Sequence, residues 1–362
     1  MKNLKIALSF SLIAVCSSLY ARERYGYPFL SGDSLEPQGR AMQKKSIEGF
    51  VDDSLFCLAG EELYEQSQLN ELDSIEKEEV TRGNSSRTAI RLIRALSISK
   101  GFRHTRTAQR IYADLASVSA RLRLYPFAMQ CYYQSLQQRD NYTENFTDTV
   151  IISNNPVVWR DSKIIGAQEI VNSFNDGKEP VACAILLHIK QPIAGRRSAF
   201  KGLNIVGHMF ITLIKYNTDK TVVCRSFGFY PDKNDVFSAT PFHPSSPGVI
   251  KDDGLHRWDE VAGKFISHKR LNKILRLLVK YEEKNYNLNH NNCTDFGLLA
   301  ALAGGIDIND TKGNWPFGRG NTPACAGQSI AEGKIRNMDT GDKTGLFICN
   351  RKELFFNGSS KQ

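Results

Sequence analysis

Two residues in this chain have the types and settings that nucleophilic chemistry needs. Cys293 stands in Asn291-Asn292-Cys293-Thr294-Asp295-Phe296, where polar cap residues give way to an apolar helical run. His208 stands in Gly207-His208-Met209-Phe210-Ile211-Thr212-Leu213, a stretch of strand character. A thiol attacks well only as a thiolate, and a helix N-terminus and a neighbouring imidazole both lower its pKa. At a helix start the backbone N–H of Cys293 has no partner within the helix, so it can stabilise an oxyanion formed by attack from the same residue's sulfur. Each residue alone has a plainer reading, a buried structural cysteine and a half-buried strand histidine. Together they read as a thiol site.

The elements that would carry the pair are legible from periodicity. Val181 to Ile189 reads as a strand apolar on both faces, Ile205 to Tyr216 as the strand carrying His208, and Thr221 to Tyr230 as its return strand across the turn Asn217-Thr218-Asp219-Lys220. On the His208 strand, Phe210 and Thr212 share the histidine's face, while Met209 and Ile211 point the other way. Residues 232–262 read as a loop-rich insertion because prolines and glycines cluster between Pro241 and Gly254. Ile164 to Phe174 and Phe265 to Lys284 read as helices, and the Cys293 helix runs to Ala303 and stops at Gly304-Gly305.

Upstream, residues 46–140 are helical in pattern. From Thr107 to Leu136, the residues Tyr112, Leu115, Ala116, Ala128, Tyr132 and Ser135 fall at positions that resemble one tetratricopeptide repeat: small residues let two helices approach and aromatic residues fill the rest. A plain helical bundle fits the same residues. Pro126 is tolerated at the start of the second helix, where its missing N–H costs nothing. The expected organisation is a signal peptide over 1–21, a loosely ordered lead-in over 22–45, a helical domain over 46–140, a linker over 141–156, an α+β domain over 157–350 and a tail over 351–362.

In the α+β half the order of motifs resembles the circularly permuted papain-like thiol enzymes, among them the PPPDE-type peptidases and the relatives of lecithin:retinol acyltransferase. The resemblance is carried by Gly207-His208-Met209-Phe210-Ile211 and by Tyr286-Asn287-Leu288-Asn289-His290-Asn291-Asn292-Cys293-Thr294-Asp295-Phe296, and covers roughly residues 180–305, about a third of the chain. It implies an antiparallel sheet packed on helices, a Cys293 nucleophile, a His208 general base and an acyl-enzyme intermediate. A third polar group is expected to orient the imidazole. Ser226, on the strand paired with that of His208, is the first candidate, with Arg225 and Asn204 beside it. His290 is a second candidate base, but lies three residues before the helix start. The side-chain amide of Asn292 or Asn291 is a candidate second oxyanion donor. Trp315 is expected to wall a substrate cleft and Arg319 to grip a carboxylate or phosphate there; an ordinary surface loop is the alternative.

Composition bounds the rest. The 362 residues suffice for two cores, and the net charge of +9 favours acidic surroundings without any basic-aromatic motif for nucleic acid. His243 and His256 lie near Asp252, Asp253 and Asp259, but no metal-ligand spacing occurs, and no cofactor fingerprint is present. The basic Met1–Lys5, the apolar Ile6–Val15 and a small residue at Ala21 have the layout of an export signal. A membrane anchor, or a lipid on Cys16, are the alternatives. Without Cys16 seven cysteines remain; Cys57, Cys131, Cys183, Cys224, Cys325 and Cys349 either form three bridges, with Cys183 facing Cys224, or stay reduced, and Cys293 is the odd one. The expected function is an exported thiol hydrolase or acyltransferase taking a peptide or acyl substrate, with no cofactor, no transmembrane span in the mature chain, and a protein partner on the helical domain. The rival is an inert envelope adaptor on the same scaffold.

Overall fold

The computed structural model describes residues 106–137, 163–200, 206–232, 239–315 and 317–350, with Ser74, Thr88, Arg91 and Leu92 as single helical positions. The expected signal peptide, lead-in, linker and tail, and Cys57, lie outside the described residues, as does most of 46–105.

The first elements are two helices, α1 (Arg106–Arg121) and α2 (Tyr125–Gln137). Ala116 and Ala128 are fully buried, as close approach of two helices requires, and Pro126 sits in the first turn of α2. A third helix, α3 (Ala167–Phe174), leads into the sheet. The strands β1 (Pro180–Lys190), β2 (His208–Asn217) and β3 (Val222–Pro231) follow in antiparallel order. Next come β4 (Ser245–Asp252), β5 (Glu260–Ile266), α4 (His268–Glu282), β6 (Asn285–Asn287) and α5 (Cys293–Gly304). The chain closes with β7 (Ile306–Ile308), β8 (Lys312–Trp315), β9 (Gly318–Asn321), α6 (Pro323–Ala331), β10 (Ile335–Asn337) and β11 (Phe347–Asn350). Seven strands form one antiparallel sheet in the order β11-β5-β1-β2-β3-β4-β6. The protein is therefore α+β, with a large antiparallel sheet and six helices among the described residues.

Every residue of β2 is buried, and β1 is buried through its length after Ala182, because both faces of the sheet are covered. On one face Ile185, Leu187, Met209, Ile211, Leu213 and Phe227 form the main core with Leu271, Leu278, Phe296 and Ala300 from α4 and α5. Burying such side chains contributes roughly 1.5–3 kcal/mol each. On the other face, helix α2 lays Tyr125 against His188 and Tyr133 against Phe265, and the Tyr216 hydroxyl donates to the Pro126 carbonyl.

One expectation is refined and one corrected. The described part of residues 232–262 is loop-rich as expected but also carries β4 and the start of β5, because β3 and β1 offer partners that the local proline and glycine content does not reveal. The proposed Cys183–Cys224 bridge is ruled out by register. Cys183 lies opposite Lys215 and Cys224 opposite Ile214, consecutive residues of β2, so the two thiols project from opposite faces of the sheet. Cys131, Cys183, Cys224, Cys293, Cys325 and Cys349 are buried thiols, with no disulfide among the described cysteines. Among the described residues no helix is long and apolar enough to cross a membrane.

Candidate functional site

Cys293 is the first residue of α5. Asn292 caps that helix, its Oδ1 accepting from the Thr294 and Asp295 N–H groups, while the Asp295 carboxylate accepts from the Asn292 N–H. This reciprocal cap fixes the helix start and aims the Cys293 sulfur into the site. The histidine comes from the first residue of β2. Gly207 precedes it at φ +75°, and a side chain there would meet the Lys190 carbonyl, so the turn into β2 requires glycine.

The two side chains meet. The imidazole of His208 bonds Asp253 Oδ2 at 3.1 Å through Nε2, and the Cys293 thiol lies close enough for the imidazole to act on its ionisation. With Nε2 taken by the carboxylate, Nδ1 is the nitrogen left for the sulfur. Burial alone pushes the Cys293 thiol up, but the bond to His208, the imidazolium charge and the Met209 backbone N–H outweigh it and hold the thiol below its ordinary value. Burial likewise opposes a charge on His208, yet the Asp253 carboxylate and then the Cys293 sulfur raise its pKa to about 10. Both shifts favour a thiolate beside an imidazolium over the neutral pair.

Asp253 is the residue that sequence reasoning missed as orienter. It follows β4 directly, its N–H donates to the Ser226 carbonyl, and its Oδ1 accepts from the Tyr230 hydroxyl. Gly228 lies beneath the pair: a Cβ there would stand 2.4 Å from Asp253 Oδ2 and 2.7 Å from His208 Nε2. Tyr230 stacks at 4.2 Å from the imidazole centroid, and His256 lies 4.9 Å away. Burial and then the His208 charge lower the pKa of His256.

The other expected residues sort as follows. Ser226 is not the orienter: its hydroxyl bonds Thr212 Oγ1 at 2.6 Å, which in turn bonds His188 Nε2, a different histidine. Arg225 donates to Ser173 instead, and Asn204 lies outside the described residues. His290 is exposed, and lines a separate open groove beside α5 that does not include Cys293. Asn292 is no free oxyanion donor, since its amide donates to the carbonyls of Leu288 and Asn321. Nor is Asn291, whose amide donates to the Asn285 carbonyl. Trp315 does wall the cavity that opens on Cys293, together with Phe200, Val206, Leu288 and Pro323. Arg319 is exposed on β9 and does not line it.

Tyr286 gains a role that its place in the motif did not suggest. It lines the same cavity as Cys293, and burial and then the sulfur's charge hold its phenol well above its ordinary pKa, so it remains a donor. A tyrosine seven residues before the cysteine was the available signal. Among the described residues, no group of His, Cys, Asp and Glu is arranged to hold a metal ion. No family model matches the chain, and no curated protein or solved structure matches it.

Proposed function

We propose that this protein is a thiol hydrolase or acyltransferase of the permuted papain-like kind, with Cys293 as nucleophile, His208 as acid and base, and Asp253 as the group that orients and charges the imidazole. The observation that carries the reading is the buried contact chain from Cys293 through His208 to Asp253, in which the thiol is lowered against its own burial.

In the first half-reaction the Cys293 thiolate attacks the carbonyl carbon of an ester, thioester or amide, forming a C–S bond and an oxyanion. The Cys293 backbone N–H and the hydroxyl of Tyr286, which lines the same cavity, are the donors for that oxyanion. Collapse breaks the bond to the leaving group, which takes the proton from the His208 imidazolium. The neutral imidazole then accepts a proton from water or another acceptor as that group attacks the acyl-enzyme. The C–S bond breaks, and the thiolate–imidazolium pair is restored. Asp253 keeps its charge throughout and touches only the imidazole.

Export belongs to the same proposal and rests on the layout of residues 1–21. The helix pair α1–α2 is similar to one tetratricopeptide unit, and a protein partner on the helical region is part of the proposal.

The test is formation of an acyl-enzyme. An activated acyl probe, followed by intact-mass measurement and peptide mapping, is expected to place one acyl group on Cys293. Both Cys293→Ala and His208→Ala are expected to lose it. An unreactive Cys293 in the folded wild-type chain would return the protein to the adaptor reading.

A further inference from the structure

The cavity at Cys293 has a composition that limits what can enter it. Its walls are Phe200, Leu288 and Trp315, with Val206 and Pro323. Three polar side chains other than Tyr286 line it, and each already holds hydrogen bonds within the protein. Asn292 is spent on its two carbonyls and the α5 cap. Asn321 donates to Asp295 and accepts from Thr311. The Thr322 oxygen caps α6. Among the described residues, no Asp, Glu, Lys, Arg or His lines the cavity. A charged group entering here would leave water for mostly apolar walls, and the nearest cation, His208, is already paired with Asp253.

Two exposed aromatic side chains are tied to wall residues by the chain or by a backbone bond. Phe317 lies two residues beyond Trp315, at the tip of the β8–β9 hairpin, and is 76% exposed. Phe242 is 82% exposed, and its loop is tied to the opposite wall by the bond from the Leu288 N–H to the Pro244 carbonyl. The two rings stand 5.2 Å apart. Large aromatic side chains paired in water mark a surface that gains by being covered.

We infer that the acyl group held beside Cys293 is apolar and uncharged, an aliphatic or aromatic chain rather than a charged peptide segment, and that Phe242 and Phe317 receive the part that protrudes. The inference rests on the reading of Cys293 as the nucleophile. It excludes the carboxylate or phosphate grip expected of Arg319, and it disfavours cell-wall peptide stems, whose acyl groups carry free amines and carboxylates.

The experiment is a series of p-nitrophenyl esters, acetate, butyrate, hexanoate and octanoate, with the mono-ester of succinate as the charged member. Each is measured as kcat/KM on the full chain after subtraction of the Cys293→Ala rate, alongside iodoacetamide labelling of Cys293 in wild type and in His208→Ala. The expected result is a rise of about fourfold per added methylene, the worth of one buried CH2, until the chain outgrows the cavity. The succinate ester should fall at least about tenfold below butyrate. Trp315→Ala, and separately Phe242→Ser with Phe317→Ser, should lower the octanoate-to-acetate ratio. That ratio is internal to one sample and does not depend on how much of a variant is folded. A flat or falling series, or preference for the succinate ester, with labelling still dependent on His208, overturns this inference and leaves the Cys293 reading standing. No Cys293-dependent turnover together with no His208-dependent labelling overturns both.

Discussion

His188 and His208 sit on neighbouring strands and stack on opposite sides of one ring, Phe210, with centroid separations of 4.6 and 5.9 Å and nearly parallel planes. Both are buried, at 0% and 6% exposure. Yet the pKa of His188 falls to about 3 and that of His208 rises to about 10. For His188, burial is the main cause, with the charges of His256 and Arg123 adding to it; the hydrogen bond it makes is to a neutral hydroxyl, Thr212. For His208, burial acts in the same direction and is overcome by the carboxylate of Asp253 and then by the Cys293 sulfur. Burial makes a neutral imidazole the default in this sheet. A carboxylate at 3.1 Å is what raises one of two similar histidines, and the raised imidazole in turn lowers the neighbouring thiol.

The comparison breaks most directly at Asp253. Asp253→Asn keeps the shape and removes the charge, so His208 should become a second His188, neutral at pH 7. Acylation of Cys293 at that pH should fall on the order of 10²- to 10⁴-fold, measured by single-turnover kinetics. Gly228→Ala should come next. Its methyl would stand 2.4 Å from the carboxylate and force the pair apart, costing about 10²-fold in rate, with the folded fraction checked by circular dichroism. His188→Gln sharpens the contrast from the other side. Rates at Cys293 should stay within about threefold, while the stability profile changes in acid. Because the folded pKa of His188 is depressed from 6.5 to about 3, the unfolded chain binds the extra proton, and stability is lost as pH falls below 6.5. The variant should flatten that loss in urea unfolding measured from pH 7 to pH 4. Ser226→Ala should do least. It removes a hydroxyl bond worth about 1 kcal/mol and keeps the carbonyl that holds Asp253, so the pH profile at Cys293 should not move. If it does move, the orienting role expected for Ser226 is restored.

The two reacting residues were legible because local rules place them. Asn292 before an apolar run marks a helix start, and Cys293 opens α5 there. Alternation across Gly207–Leu213 marks β2, which runs His208–Asn217 against an expected span of 205–216. Asp253 was not legible as their partner. It follows β4, whose sequence Ser245-Ser246-Pro247-Gly248 looks like a break and becomes strand only because β3 and β6 lie on either side. In the sequence it stood beside Asp252, Asp259, His243 and His256 and was weighed only as a metal ligand. The same limit explains Cys183 and Cys224: each is plainly in a strand, but which face each takes depends on pairing with β2, a tertiary fact. Asn292 shows the converse error. Its position was right for an oxyanion donor, and the capping that made the helix visible is what consumes its amide.

The central claim is that Cys293 is ionised by the charged imidazole beside it. The most direct measurement is the rate of Cys293 carboxamidomethylation by iodoacetamide from pH 5 to pH 10, read by peptide mass spectrometry in wild type and in His208→Ala. The expected wild-type midpoint lies below the ordinary thiol value of 9.0, and in His208→Ala it should rise, since burial is then opposed only by the Met209 N–H and the Thr294 side chain. A wild-type midpoint at or above 9.0, unmoved by the substitution, would contradict that claim.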